Sequence, residues 1–171
     1  GATLLVAFHD AYGVELEHFR SHLRSRLESS HGPVRSIRSR FTDPYVAQGA
    51  GDERLRSLHG SWHDSGVNAL SVVCSLEHGF EIESCRMQDL AGFGDRATVA
   101  TFRSTRSAGP LLTVETDWTV AEKEKTTRLE FEDASLVLDH AARTITLEEG
   151  AGRTTRLFRS ESELSRLTEQ Y

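Results

Sequence analysis

In the stretch WHDSGVNALSVV, residues 62–73, an aspartate and an asparagine stand four positions apart. At 100° per residue Asp64, Asn68, Ser71 and Ser75 fall within about 60° of arc, while Val67, Ala69, Leu70, Val72, Val73, Cys74 and Leu76 cover the rest. A helix this apolar is expected to be buried, and a polar group left unpaired in a core costs about 1–3 kcal/mol. Two readings of the stripe compete. In the first, Asp64 is an N-cap for the amides of Gly66 and Val67, and the serines bond back to helix carbonyls. That reading is the favoured one for Asp64 taken alone, but Asn68 lies a full turn inside the helix, where no cap is needed. In the second, carboxylate and amide form a hydrogen-bonding edge for a polyhydroxylated ligand, and the two residues taken together favour it.

Other chemistry-bearing residues are more easily read as structure. His59 and His63 flank the same stretch, and a histidine at position 63 has the type to act as acid or base beside Asp64; packing beside Trp62 is the plainer reading. His18 and His22 have a spacing zinc can use, but Phe19 stands where a metalloprotease has Glu and no third ligand is evident, so no metal site is expected. Only two lysines occur, Lys123 and Lys125, against eighteen arginines. A lysine general base would have to be one of them, and AEKEK reads as a charged surface hairpin turn. Cys74 and Cys85 form no metal-type pair and are expected as reduced thiols.

Composition narrows the partners. The chain has 171 residues, the size of one domain. Its net charge of −6 argues against nucleic acid and anionic lipid, which call for a basic stripe. No apolar run reaches the ~20 residues of a spanning helix, and the N-terminus lacks the order of a signal peptide, so a cytoplasmic location is expected. The sequence begins at Gly1, which suggests a processed or excised piece.

The elements that would position these residues follow from periodicity. TLLVAFHDAY suits a buried strand ending at His9 to Tyr12, and residues 14–30 carry Leu16, Phe19, Leu23 and Leu27 on one helical face. GPVRSIRSRF alternates as a strand. Thr42 to Gly60 reads as loop with one helical turn at DERLRSL, followed by the helix from Asp64 to about Leu76. Seven strand-like runs then succeed one another from Phe80 to Ser160, with Leu112, Val114, Thr116, Trp118 and Val120 alternating against polar neighbours. ESELSRLTEQY reads as a last helix, with Ser160 as N-cap and Glu163 at capping-box spacing. The fold class is α+β: two or three helices on one face of a large, mostly antiparallel sheet.

DSGVNALSVV resembles the Asp-x-Gly-x-His/Asn helix in the second domain of the glucose-fructose oxidoreductase, inositol dehydrogenase and rhizopine-catabolism (Gfo/Idh/MocA) family, most of all its aldose 1-dehydrogenases acting on L-arabinose and D-galactose. VAFHDAY is similar to the strand leading into that domain, and VETDWTVAEKEKTTRLEFEDASLVLDH to a later sheet segment, so the resemblance spans roughly residues 3–160. It implies a dihydrodipicolinate-reductase-like C-terminal domain. It also implies that Asp64 and Asn68 face the sugar carbon that yields hydride, that Trp118 walls the pocket, and that His9 and His63 lie beside it. The arginine usual in the leading strand is Ala11 here.

The resemblance further implies an NAD(P) cofactor and a Glu-Lys-Pro lysine, both carried by a preceding nucleotide-binding domain. QGAGDE, AGFGDR and EGAGRT are the only glycine clusters, and none follows a parallel-type strand to open a convincing helix, so this chain is not expected to bind a dinucleotide unaided. The leading expectation is the substrate-binding and oligomerisation domain of an NAD(P)-dependent sugar or polyol oxidoreductase, homodimeric through its open sheet face. The alternatives are a freestanding cofactor-independent isomerase, cyclase or hydratase using Asp64 and His63, and a non-catalytic sugar-binding module.

Overall fold

A computed structural model of the protein describes residues 9–161, with the side chains of His9 and Ala151 outside that description. The first part of the expected opening strand and the body of the expected last helix lie outside the described residues.

Eight strands form one sheet in the order β2-β3-β4-β1-β5-β6-β7-β8. They are β1 (Ser36–Thr42), β2 (Phe80–Leu90), β3 (Gly94–Ser104), β4 (Leu111–Asp117), β5 (Glu124–Glu130), β6 (Ala134–Asp139), β7 (Thr144–Glu149) and β8 (Arg153–Arg159). Every pairing is antiparallel except β1 with β4. The exception follows from connectivity, because the chain leaves β1, crosses through helices and the β2–β3 hairpin, and returns as β4, a crossover that parallel neighbours require.

Alternation divides the sheet into two faces. Ile37, Ser39 and Phe41 of β1, Leu112, Val114 and Thr116 of β4, Leu129 of β5, and Leu136 and Leu138 of β6 are buried beneath the helices. The other face carries Arg38, Arg40, Glu115, Glu124, Arg128, Glu130 and Glu148, paired among themselves by intrachain salt bridges.

The helical layer has two long pieces. α1 (Val14–His18) continues through a π-type turn, Phe19–Leu23, into α2 (Arg24–His31) and buries Leu16, Phe19, Leu23 and Leu27, the face expected from their spacing. α3 (Asp52–Leu58) is the single short helix in the loop region. A second π-type turn, Trp62–Gly66, leads into α4 (Val67–Leu76), which buries Ala69, Val72, Val73 and Leu76. At the far end of α4, Arg24 donates to the Leu76 carbonyl at 2.5 Å and pairs with Glu77 at 3.4 Å, while Arg106 holds the other oxygen of Glu77 at 2.7 Å.

Four expectations are corrected. His9 to Tyr12 form a 3-10 turn and not a strand end. The helix expected from Asp64 begins earlier, since Asp64 N already donates to Gly60 O at 3.2 Å, an intrahelical bond. Asp64 is therefore the third residue of a running helix and cannot cap it, because a cap residue must stand outside helical geometry. Cys74 is exposed, so that helix is not enclosed all round. Lys125 does not sit in a surface turn: it lies in β5 opposite Phe41, with its side chain on the inner face and 22% exposed.

Candidate functional site

The C-terminal ends of β1 and β4 and the start of β5 meet at one end of the sheet, because Thr42 pairs with both Asp117 and Glu124. This register brings Asp43, Trp118, Lys123 and Lys125 to one place, and the helix containing Asp64 enters above them. What holds that helix start is Asp95, at the beginning of β3. Its carboxylate accepts hydrogen bonds from Ser61 Oγ (2.5 Å), Thr98 Oγ1 (2.7 Å) and the Trp62 amide (3.1 Å). The backbones come so close that a Cβ at Gly60, where φ is +100°, would lie 2.4 Å from Asp95 Oδ1 and 2.8 Å from its amide nitrogen. Asp95 is thus the cap that Asp64 is not, and Asp64 is released for other contacts.

Asp64 is half-buried, and its Oδ2 accepts a hydrogen bond of 3.1 Å from Ser65 Oγ. Ser65 Oγ also lies 3.0 Å from Asp43 Oδ2, and Lys123 Nζ lies 3.1 Å from Asp43 Oδ1. The serine hydroxyl has one proton, so it serves one carboxylate at a time and couples the two. Burial pushes the Asp64 carboxyl above its ordinary range, and Asp43 adds to that push; the Ser65 hydroxyl, Lys125 and Arg54 oppose it.

Asn68 Nδ2 donates to the Asp64 carbonyl at 3.0 Å. Ser71 and Ser75 donate to the carbonyls of Asn68 and Val72, both at 2.7 Å, as the first reading of the stripe expects for serines. Among the described residues, Asp64 Oδ1 and Asn68 Oδ1 accept no hydrogen bond, and both residues remain partly exposed. Two acceptors one helical turn apart form an edge suited to hydroxyl donors.

His63 is exposed and pairs at 6.4 Å with the ring of His59. The side chain of His9 is outside the described residues. Trp118 is fully buried, edge-on to Tyr45 at 5.5 Å, and its Nε1 has no hydrogen-bond partner among the described residues. Tyr45 in turn lies beneath the Arg54 guanidinium at 4.8 Å. The indole reaches the Asp64 cluster through backbone, since the residue before it, Asp117, accepts from the Asp43 amide at 3.1 Å. Asp43, Ser65 and Asp95 escaped the sequence reading, in which Lys125 reads as part of a surface turn. The signals available were an acid directly after a central strand, in TDPY, and the two lysines of AEKEK.

None of the three glycine clusters directly joins a parallel strand to a following helix in the described residues. Gly92 and Gly94 turn antiparallel β2 into β3, Gly150 and Gly152 turn antiparallel β7 into β8, and Gly49 and Gly51 follow an irregular turn and precede the seven-residue α3.

No family model matches the sequence, and no curated protein matches it. Solved structures do match in shape. An NAD binding oxidoreductase from Klebsiella pneumoniae superposes with a TM-score of 0.73 at 14% identity, over 91% of this chain and 46% of that one. The fold is shared with NAD-binding oxidoreductases. An inositol dehydrogenase homolog from Azotobacter vinelandii, complexed with NAD+, gives 0.70 at 14% identity over 92% and 44%. Levoglucosan dehydrogenase in complex with NADH and levoglucosan gives 0.66 at 13% identity over 94% and 51%. This chain spans about half the length of these structures.

Proposed function

We propose that the chain is the substrate-binding and oligomerisation domain of an NAD(P)-dependent sugar or polyol oxidoreductase of Gfo/Idh/MocA type, with the dinucleotide held by a separate domain. The observation that carries this reading is the Asp64–Asn68 edge. Its two open acceptors stand on a helix whose start is capped by another residue, so Asp64 is left for a ligand. Of the similar folds, one belongs to a levoglucosan dehydrogenase in complex with levoglucosan, a polyhydroxylated compound, and another to an inositol dehydrogenase homolog. In this reading Asp64 Oδ1 and Asn68 Oδ1 accept protons from sugar hydroxyls, and the Ser65–Asp43 pair holds the Asp64 carboxylate in place. His63 flanks the ligand, and Trp118 backs the wall that Tyr45 presents.

Isothermal calorimetry of the full chain against L-arabinose, D-galactose, myo-inositol and levoglucosan tests the reading. At least one is expected to bind, and Asp64→Asn and Asn68→Ala are each expected to weaken it by about tenfold, the loss of one or two ligand hydrogen bonds. Equal affinity in both variants rejects the assignment.

One observation favours a second reading, a cofactor-independent isomerase, cyclase or hydratase: the raised proton affinity of Asp64, which suits a general acid or base. Turnover without added NAD(P) that disappears in Asp64→Asn supports it, and absence of turnover across an aldose panel removes it.

A further inference from the structure

We propose that Lys125 is the ligand-binding cation of this site, its ammonium and the Asp64 carboxylate gripping neighbouring hydroxyl oxygens of one sugar or polyol. The inference rests on the sugar-binding reading above and adds a residue that neither the motif resemblance nor the similar folds assign.

The two lysines of the chain are used differently. Lys123 is 54% exposed and is committed to Asp43 at 3.1 Å. Lys125 is drawn inward by the β5 register and lies over the Phe41 ring, with Nζ 5.3 Å from its centroid. Its one ion-pair contact among the described residues is Asp10 Oδ2 at 4.0 Å, beyond hydrogen-bond reach. An ammonium carries three N–H donors, and none of the described residues takes one here. With 22% of the side chain exposed, the ammonium is open to solvent and keeps its donors for a ligand. The charged groups tied to it are Asp10 from the first turn, at 4.0 Å, and Asp64 from the helix above, whose carboxyl it holds down against the upward push of burial.

The chemistry specifies the occupant. Lys125 supplies donors, while Asp64 Oδ1 and Asn68 Oδ1 supply acceptors. A hydroxyl oxygen accepts from the ammonium through its lone pairs and donates its own proton to a carboxylate. Adjacent hydroxyls on a sugar or polyol meet both sides at once, which a monocarboxylate or a simple amine does not.

Because there are only two lysines, protein labelled with [13C]lysine shows two resolved Cε environments, assigned with Lys123→Arg and Lys125→Arg. Titrating the full wild-type chain with the sugar that binds best by calorimetry, the Lys125 signal is expected to shift and the Lys123 signal to stay. Lys125→Met is expected to weaken that sugar by about tenfold and Lys125→Arg to keep most of the affinity. Sugar binding with an unmoved Lys125 signal and full affinity in Lys125→Met overturns this inference while leaving the sugar-binding reading in place. Absence of binding by all four compounds overturns both. The wild-type titration needs no variant, so it decides the matter even if Lys125→Met fails to fold.

Discussion

At Asp64, a carboxyl held above its ordinary range by burial makes the folded state the tighter proton binder. The unfolded chain then releases that proton at lower pH than the folded one, so Asp64 favours folding most at acidic pH. Its contribution falls as pH rises through the interval between the unfolded and folded values and is flat above it. Asp64→Asn removes the ionisation while leaving an oxygen to accept from Ser65. The variant is expected to melt at a higher temperature than wild type at pH 7 and to lose that advantage below about pH 3, where the carboxyl is protonated in the folded and the unfolded chain alike. Melting curves across this range check the sign, and a variant that is less stable than wild type at neutral pH contradicts it.

At the level of elements, the helix that carries the site is held at its start by a strand and at its end by an arginine. Asp95 accepts from two hydroxyls and one amide, all in a buried setting. Asp95→Ala strands these donors and is expected to cost about 2–4 kcal/mol in urea unfolding, more than an exposed cap. Since the same carboxylate orients the first turn, sugar affinity is expected to fall with stability in this variant. Lys125→Met, by contrast, is expected to change affinity without a comparable loss of stability.

Across the whole molecule, a chain of buried polar groups ties the helical layer to the sheet. Glu15 Oε1 is 2.7 Å from His140 Nδ1, His140 Nε2 is 2.8 Å from Thr127 Oγ1, and Thr127 Oγ1 is 3.0 Å from Ser39 Oγ. These four residues are buried and join α1, the end of β6, β5 and β1. His140→Ala leaves the Glu15 carboxylate without this partner and opens a cavity, so a loss of about 3–5 kcal/mol in chemical denaturation is expected. Replacing both Glu15 and His140 by leucine is expected to recover part of it. On the opposite face, the proposed homodimer would place the Arg–Glu lattice around Val137 against a second copy. Sedimentation is expected to show a dimer that Val137→Arg converts to a folded monomer; a wild-type monomer rules out that interface.

The pattern of alternating and 3.6-residue spacing was enough to read α1 and α2, the short α3, the seven later strands and the α+β class, because each depends on which side of a local element is apolar. The pairing of Asp64 with Asn68 on one helical face was legible for the same reason. The cap was not, since Asp95 is thirty-one positions from Asp64 and reaches the helix only through the close approach of Gly60 and Gly94. Nor was the setting of Lys125. In AEKEK the flanking charges read as a surface turn, and it is the β1–β5 register that turns that ammonium inward over Phe41. Local periodicity says which residues share a face. Contacts between residues far apart in the chain depend on how strands pair and helices pack, and these set what each side chain meets.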